Sequence, residues 1–104
     1  MTNLNSKQRK LLEKYANKIE PVVIVGAGGV SEGVTGKISD ELGIHELIKV
    51  KFNEFKDEKR ELTEGIVNST DATLVRVIGN IAILYRAAKE IKDRKYEKEL
   101  NKLS

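Results

Sequence analysis

The sequence predicts an α/β fold, a two-layer domain with a mixed four-stranded sheet and the element order α-β-α-β-α-β-β. Three observations predict it. Apolar runs at 22–25, 45–52 and 73–78 alternate with amphipathic stretches at helical spacing, as strand-helix-strand crossovers do. Gly79-Asn80 then separates the third run from a fourth at 81–86, which reads as an antiparallel hairpin. Finally, the run Val22-Val23-Ile24-Val25 stops at Gly26-Ala27-Gly28-Gly29 and restarts at Ser31, so one stretch holds a strand, a loop and a helix start.

The elements can be justified in turn. Ser6 is the expected cap of a first helix reaching about Lys18, with Leu4, Leu11, Leu12, Tyr15 and Ile19 on one stripe and Lys7, Lys10, Lys14 and Lys18 beside it. Pro21 ends that helix and admits the first strand, 22–25, whose apolar character on both faces places it inside the sheet. Ser31 caps a second helix with Val34, Ile38 and Leu42 turned inward, closed by Gly43. Gly33 and Gly36 weaken that helix by about 1 kcal/mol each, which suggests close approach of a strand or a ligand. In the strand at 45–52, Ile48, Val50 and Phe52 form a core face, while Lys49 and Lys51 make the other face basic. A polar helix over 56–69 is anchored by Leu62 and Ile66, and strands at 73–78 and 81–86 complete the sheet. Alternation places Arg76 and Arg86 on the side of Lys49 and Lys51. The domain is expected to span residues 1–88, followed by a charged tail at 89–104 that forms an extra, loosely attached helix.

Composition removes several function classes. The chain of 104 residues is one domain, with no second lobe to close a substrate cleft. It has no cysteine, which excludes disulfides, thiolate zinc sites and cysteine nucleophiles. His45 is the single histidine, so a multi-histidine metal site is excluded, and we assign it no chemistry. The adjacent carboxylates Asp40/Glu41 and Asp57/Glu58 diverge by about 100° on helices and do not converge on a substrate. Neither an enzyme, nor a metal, nor a cofactor is expected. No apolar run approaches the ~20 residues of a membrane span, and the N-terminal stretch lacks the apolar centre of a signal peptide, so a cytoplasmic protein is expected.

Charge is unevenly placed. Residues 1–20 carry five Lys/Arg against two Glu, and residues 86–104 carry seven against four acids, giving +3 at each end and −3 between. Positive termini on a chain of net charge +3 suggest a polyanionic partner. The loop at 26–29 suits one: glycines let bare amides approach a phosphate beside the positive end of a helix. Its spacing is a near miss for a dinucleotide fingerprint, whose third glycine would fall at Ser31, and it fits G-x-x-G, a clamp on a nucleic-acid backbone. A tight turn with no ligand fits equally well from the loop alone.

The ordered set is more specific. The basic first helix, the strand into Gly26-x-x-Gly29, Glu32-Gly33-Val34, the strand at 45–51 and Gly79-Asn80-x-x-x-Leu84-Tyr85-Arg86 together resemble the CRM (chloroplast RNA splicing and ribosome maturation) domain in its single-domain bacterial, YhbY-like form. The likeness covers residues 4–88. It implies a sheet like that of the C-terminal domain of translation initiation factor three, and binding to RNA, namely large-subunit ribosomal RNA or pre-ribosomal particles during ribosome assembly. No membrane partner and no DNA specificity are expected. The implied contacts are Gly26, Ala27, Gly28 and Gly29, with Lys7, Lys10, Lys37, Lys49, Lys51 and Arg86 around them. Many members carry a polar or basic residue within the loop, whereas Ala27-Gly28 offers only backbone. Base stacking would need aromatics, and only Tyr15, Phe52, Phe55, Tyr85 and Tyr96 are present, so backbone and shape recognition is expected. Two alternatives remain open: a nucleotide-binding domain using the same loop with Glu46 or Glu54 on a ribose, and a protein-binding adaptor docking through Tyr96, Leu100 and Leu103.

Overall fold

The computed structural model describes residues 3–104, so the first two positions of the expected 1–88 unit lie outside it. Helix α1 (Ser6–Ala16) begins one residue earlier than a Ser6 cap would allow, because Asn5 is the cap. The Asn5 side chain accepts from the Gln8 N–H at 2.8 Å and the Gln8 side chain accepts from the Asn5 N–H at 2.9 Å, a reciprocal capping box. Strand β1 (Val23–Val25) follows, then α2 (Glu32–His45), β2 (Leu47–Phe52), α3 (Lys59–Thr70), β3 (Thr73–Ile78) and β4 (Ile81–Tyr85). The expected class, mixed four-stranded sheet and element order are all present.

The sheet order is β1-β2-β4-β3, with β1 parallel to β2 and β4 antiparallel to both of its neighbours. The hairpin therefore returns its second strand to the middle of the sheet, and residues 82–85 are all buried. β1 is an edge strand, not an interior one. Val23 and Val25 face the core, but Ile24 is 55% exposed, so its apolar character reported no burial. Helix α2 also runs past Gly43 to His45, and Glu46 ends it at φ 64°.

Both faces of the sheet are covered, so the domain has three layers and not the expected two. Ile38 and Leu42 of α2 and Ile66 of α3 pack on Val23, Val25, Ile48, Val50, Phe52, Ala82 and Leu84. On the opposite face, Leu12 and Ala16 of α1 pack on Leu47, Val75, Ile83 and Tyr85. A bulge between Leu74 and Arg76 turns both Val75 and Arg76 toward α1, where Arg76 pairs with Glu13 at 3.0 Å.

The segment after residue 88 is not loosely attached. It forms a short 3-10 turn, Ile91–Asp93, and helix α4 (Glu97–Lys102), and Leu100 is buried beside Leu4 and Leu12. Tyr96 packs against Tyr15 and Tyr85 with ring centroids 5.2 and 6.4 Å apart. Gln8 Nε2 donates to the Leu100 carbonyl at 3.0 Å and Asn5 Nδ2 to that of Leu103 at 2.8 Å, so the α1 cap is shared with the tail.

Candidate nucleic-acid interface

The turn after β1 is built by one hydrogen bond, from the Gly29 N–H to the Gly26 carbonyl at 3.0 Å. Gly29 closes it at φ 71°, a conformation in which a side chain is strained. Ala27 and Gly28 form an exposed tip. Beyond their chain neighbours, no protein atom lies within 4 Å of where a Cβ would stand on Gly26 or Gly28. The same is true of Gly36, and at Gly33 the nearest atom is Ser31 Oγ at 3.7 Å. No strand packs closely on these glycines, which removes one of the two reasons for placing them there.

Ser31 then caps α2, accepting from the Val34 N–H at 3.3 Å. The amides ahead of it in the first turn have no intrahelical acceptor and point with the positive end of the helix toward the turn. Glu32 is exposed in that first turn, the one carboxylate at this helix start.

The candidate cations divide between the two faces. Lys37 is exposed on α2, the helix that the turn leads into. Lys51 is exposed on β2 and in register with Ile24, two residues before the turn. The row Ile24, Lys51, Ile81, Ile78 crosses all four strands, and of these only Ile81 is half-covered. Lys7 and Lys10 are exposed on α1, against the other face of the sheet from α2. Among the described residues the only ion pairs are Arg76–Glu13 and Arg94–Glu97, so these four lysines keep their charge unpaired. Lys49 is half-buried and donates to the Ile19 carbonyl at 3.1 Å, which ties the end of the α1 segment to β2.

The expected grouping of Arg86 with Lys49 and Lys51 is corrected. Arg86 follows the end of β4 and turns toward α2 and α3. Its Nη1 donates to Ser39 Oγ at 3.0 Å and the Thr70 carbonyl at 2.8 Å, and its Nη2 to the Ser39 carbonyl at 2.8 Å. Period-two alternation itself puts it there, since Ala82, Leu84 and Arg86 share the face of α2 and α3 while Lys49 and Lys51 stand opposite Ile83 and Ile81, so the expectation had the phase of β4 inverted. Arg76 does share the face of Lys49, as expected, but is held by Glu13.

Two residues to which the sequence reading gave no structural role matter structurally. Glu46 is buried, and its carboxylate accepts from the N–H groups of Ala88 and Lys95, each at 2.6 Å. A positive φ on a non-glycine residue marks it, but nothing in the sequence does. Phe55 is the second: it is 41% exposed, and its ring leans against Gly29.

Fold and turn together define the class, a small mixed-sheet α/β domain with a bare glycine turn at the head of a helix. The comparisons with known proteins name the family. The model of the CRS1/YhbY (CRM) domain matches residues 4–86, and the chain belongs to that family. It is 41% identical over 93 residues to a Haemophilus influenzae protein named an RNA-binding protein, covering 88% of this chain and 94% of the relative. It is 34% identical to YqeI of Bacillus subtilis, named a probable RNA-binding protein, over 86% of this chain and 94% of that one. The solution structure of the hypothetical protein SAV1595 from Staphylococcus aureus superposes with a TM-score of 0.73 at 39% identity, over 89% of this chain and 98% of the other.

Proposed function

We propose that this protein binds RNA by its backbone, at ribosomal RNA in precursors of the large subunit, and assists ribosome assembly in the cytoplasm. The observation that carries this reading is the turn at 26–29, whose exposed Ala27-Gly28 tip stands in open space at the head of α2. A phosphate placed there meets backbone amides and the helix terminus, without a side chain to obstruct it. Lys37 on α2 and Lys51 on β2 supply free charge on elements that adjoin the turn. Lys7 and Lys10 extend the basic surface along α1, on the sheet face that Lys51 shares, and Arg86 and Lys49 serve by holding the elements in place. Family membership and the names of the relatives support RNA as the polyanion. Residues 1–88 are the binding unit in this reading, and 89–104 an appended element that closes the second sheet face.

The alternatives draw less support. Glu46, one of the two acids available for a ribose, is occupied by two backbone amides. Ser31, at the position of the missing third glycine, is occupied as a helix cap. Tyr96 and Leu100, two of the three residues of the adaptor surface Tyr96, Leu100 and Leu103, are packed on the protein's own α1 and β4.

The test is binding to a transcript of large-subunit ribosomal RNA across a salt series. With about five phosphates neutralised on single-stranded segments, log affinity should fall with log salt at a slope near −3.5. A salt-independent affinity, or no binding at low salt, contradicts the reading.

A further inference from the structure

Of the five aromatic rings, four are engaged. Phe52 and Tyr85 are buried, and Tyr15 and Tyr96 are half-buried against each other, with Tyr96 also against Tyr85. Phe55 is the one exposed aromatic among the described residues. It stands beside the turn. A Cβ on Gly29 would lie 3.4 Å from Phe55 Cε2 and 3.6 Å from Cζ, so the ring edge abuts the turn while much of the ring stays open to solvent.

The position is fixed by backbone bonds. The Val25 carbonyl accepts from the N–H groups of Asn53 at 3.0 Å and Glu54 at 3.2 Å, and the Phe55 carbonyl accepts from the Glu58 N–H at 3.1 Å. Strand β1 therefore carries the turn at its end and pins the segment that holds Phe55. Within this segment Phe55 takes φ 57°, where glycine or asparagine would sit with less strain. A phenylalanine there costs conformational energy and still leaves 41% of its surface exposed. What it provides is a flat apolar face held next to the exposed tip of the turn.

We propose that Phe55 stacks on a nucleobase of the same RNA strand whose backbone rests on the turn at 26–29. A nucleotide with its phosphate on the turn carries its base within one residue's reach, and an aromatic face takes any base without reading its edges. Exposed isoleucines elsewhere, such as Ile24 and Ile78, offer no such flat face. The inference rests on the RNA-binding reading and deepens it, because it adds a base contact to a backbone contact.

The experiment uses the full chain and two probes: a short oligoadenylate with 2-aminopurine at successive positions, and an oligomer of the same length with abasic sites. Phe55→Leu keeps an apolar neighbour for Gly29, Phe55→Tyr keeps the ring, and Phe55→Gly removes the strain at φ 57° and so guards against a folding defect. Phe55→Leu and Phe55→Gly should weaken oligoadenylate binding by roughly 5- to 100-fold and abolish 2-aminopurine quenching. Phe55→Tyr should retain both, and the abasic oligomer should bind parent and variants alike. If Phe55→Leu binds oligoadenylate like the parent with the quench intact, Phe55 only supports the turn, and backbone binding stands without it. If the parent binds neither oligomer nor a ribosomal RNA transcript, the RNA-binding reading falls and this inference with it.

Discussion

Glu46 and Lys95 lie 49 positions apart in the chain, yet the Glu46 carboxylate accepts the Lys95 N–H at 2.6 Å, and its second oxygen accepts that of Ala88 at the same distance. One buried side chain at the end of α2 thus fixes both ends of the segment that leaves β4. Hydrogen bonds to a charged acceptor contribute about 1.5–3 kcal/mol each. Glu46→Ala should therefore cost about 3 kcal/mol or more and release the tail, read as faster amide exchange at Ala88 and Lys95. Unchanged exchange there, with a loss below about 1 kcal/mol, would show that Tyr96 and Leu100 hold the tail by themselves.

Arg86 should behave as a structural residue. Its guanidinium spans Ser39 on α2 and Thr70 on α3 through three hydrogen bonds, a fork that a lysine ammonium cannot reproduce. Arg86→Lys keeps the charge, should lower stability by roughly 2 kcal/mol, and should leave the RNA affinity of the folded protein within about two-fold. A selective loss of affinity at unchanged stability would return Arg86 to the binding surface.

How legible the molecule was in its sequence varies by element, for physical reasons. The β3–β4 hairpin could be read because Gly79-Asn80 and period-two alternation are local signals, and β3 occupies 73–78 as expected. The edge position of β1 was hidden, since Ile24 is apolar but has no strand or helix to cover it. The docking of the tail was hidden too: it depends on Gln8, Asn5 and Glu46 reaching partners more than 40 positions away, and no periodicity reports that. Within the candidate site the glycine turn was legible. Arg86 was misplaced because the phase of β4 was taken the wrong way round, and Phe55 was counted only as one of five aromatics because exposure beside Gly29 is a tertiary fact.

Tyr85 gives a pH dependence. Burial, with Glu46 adding to it, pushes the phenol up from its ordinary 10.0 to about 12. The folded protein therefore holds this proton more tightly than the unfolded chain does. The stability it contributes is complete below pH 10 and is lost as pH rises toward 12. Tyr85→Phe should flatten the fall in unfolding free energy over that alkaline range, measured by denaturant titration. An equally steep fall in the variant would assign the alkaline loss to other groups, Tyr15 and Tyr96 among them, whose phenols are also raised.

The central claim is that the turn at 26–29 holds a phosphate, and charge at its tip tests it most directly. Gly29 is a poor place to put that charge, because φ 71° and the Phe55 ring would confound binding with folding. Ala27 and Gly28 are exposed, with open space around Gly28, so Ala27→Asp with Gly28→Asp should fold with a melting temperature near the parent's. Affinity for a large-subunit ribosomal RNA transcript at low salt should fall by at least about ten-fold, which is about 1.4 kcal/mol. Lys98→Glu, an equal change of net charge on the exposed side of the tail, should have a much smaller effect. A folded double variant that binds the transcript as tightly as the parent would contradict the account, and the contact would then have to lie on the lysines of α1.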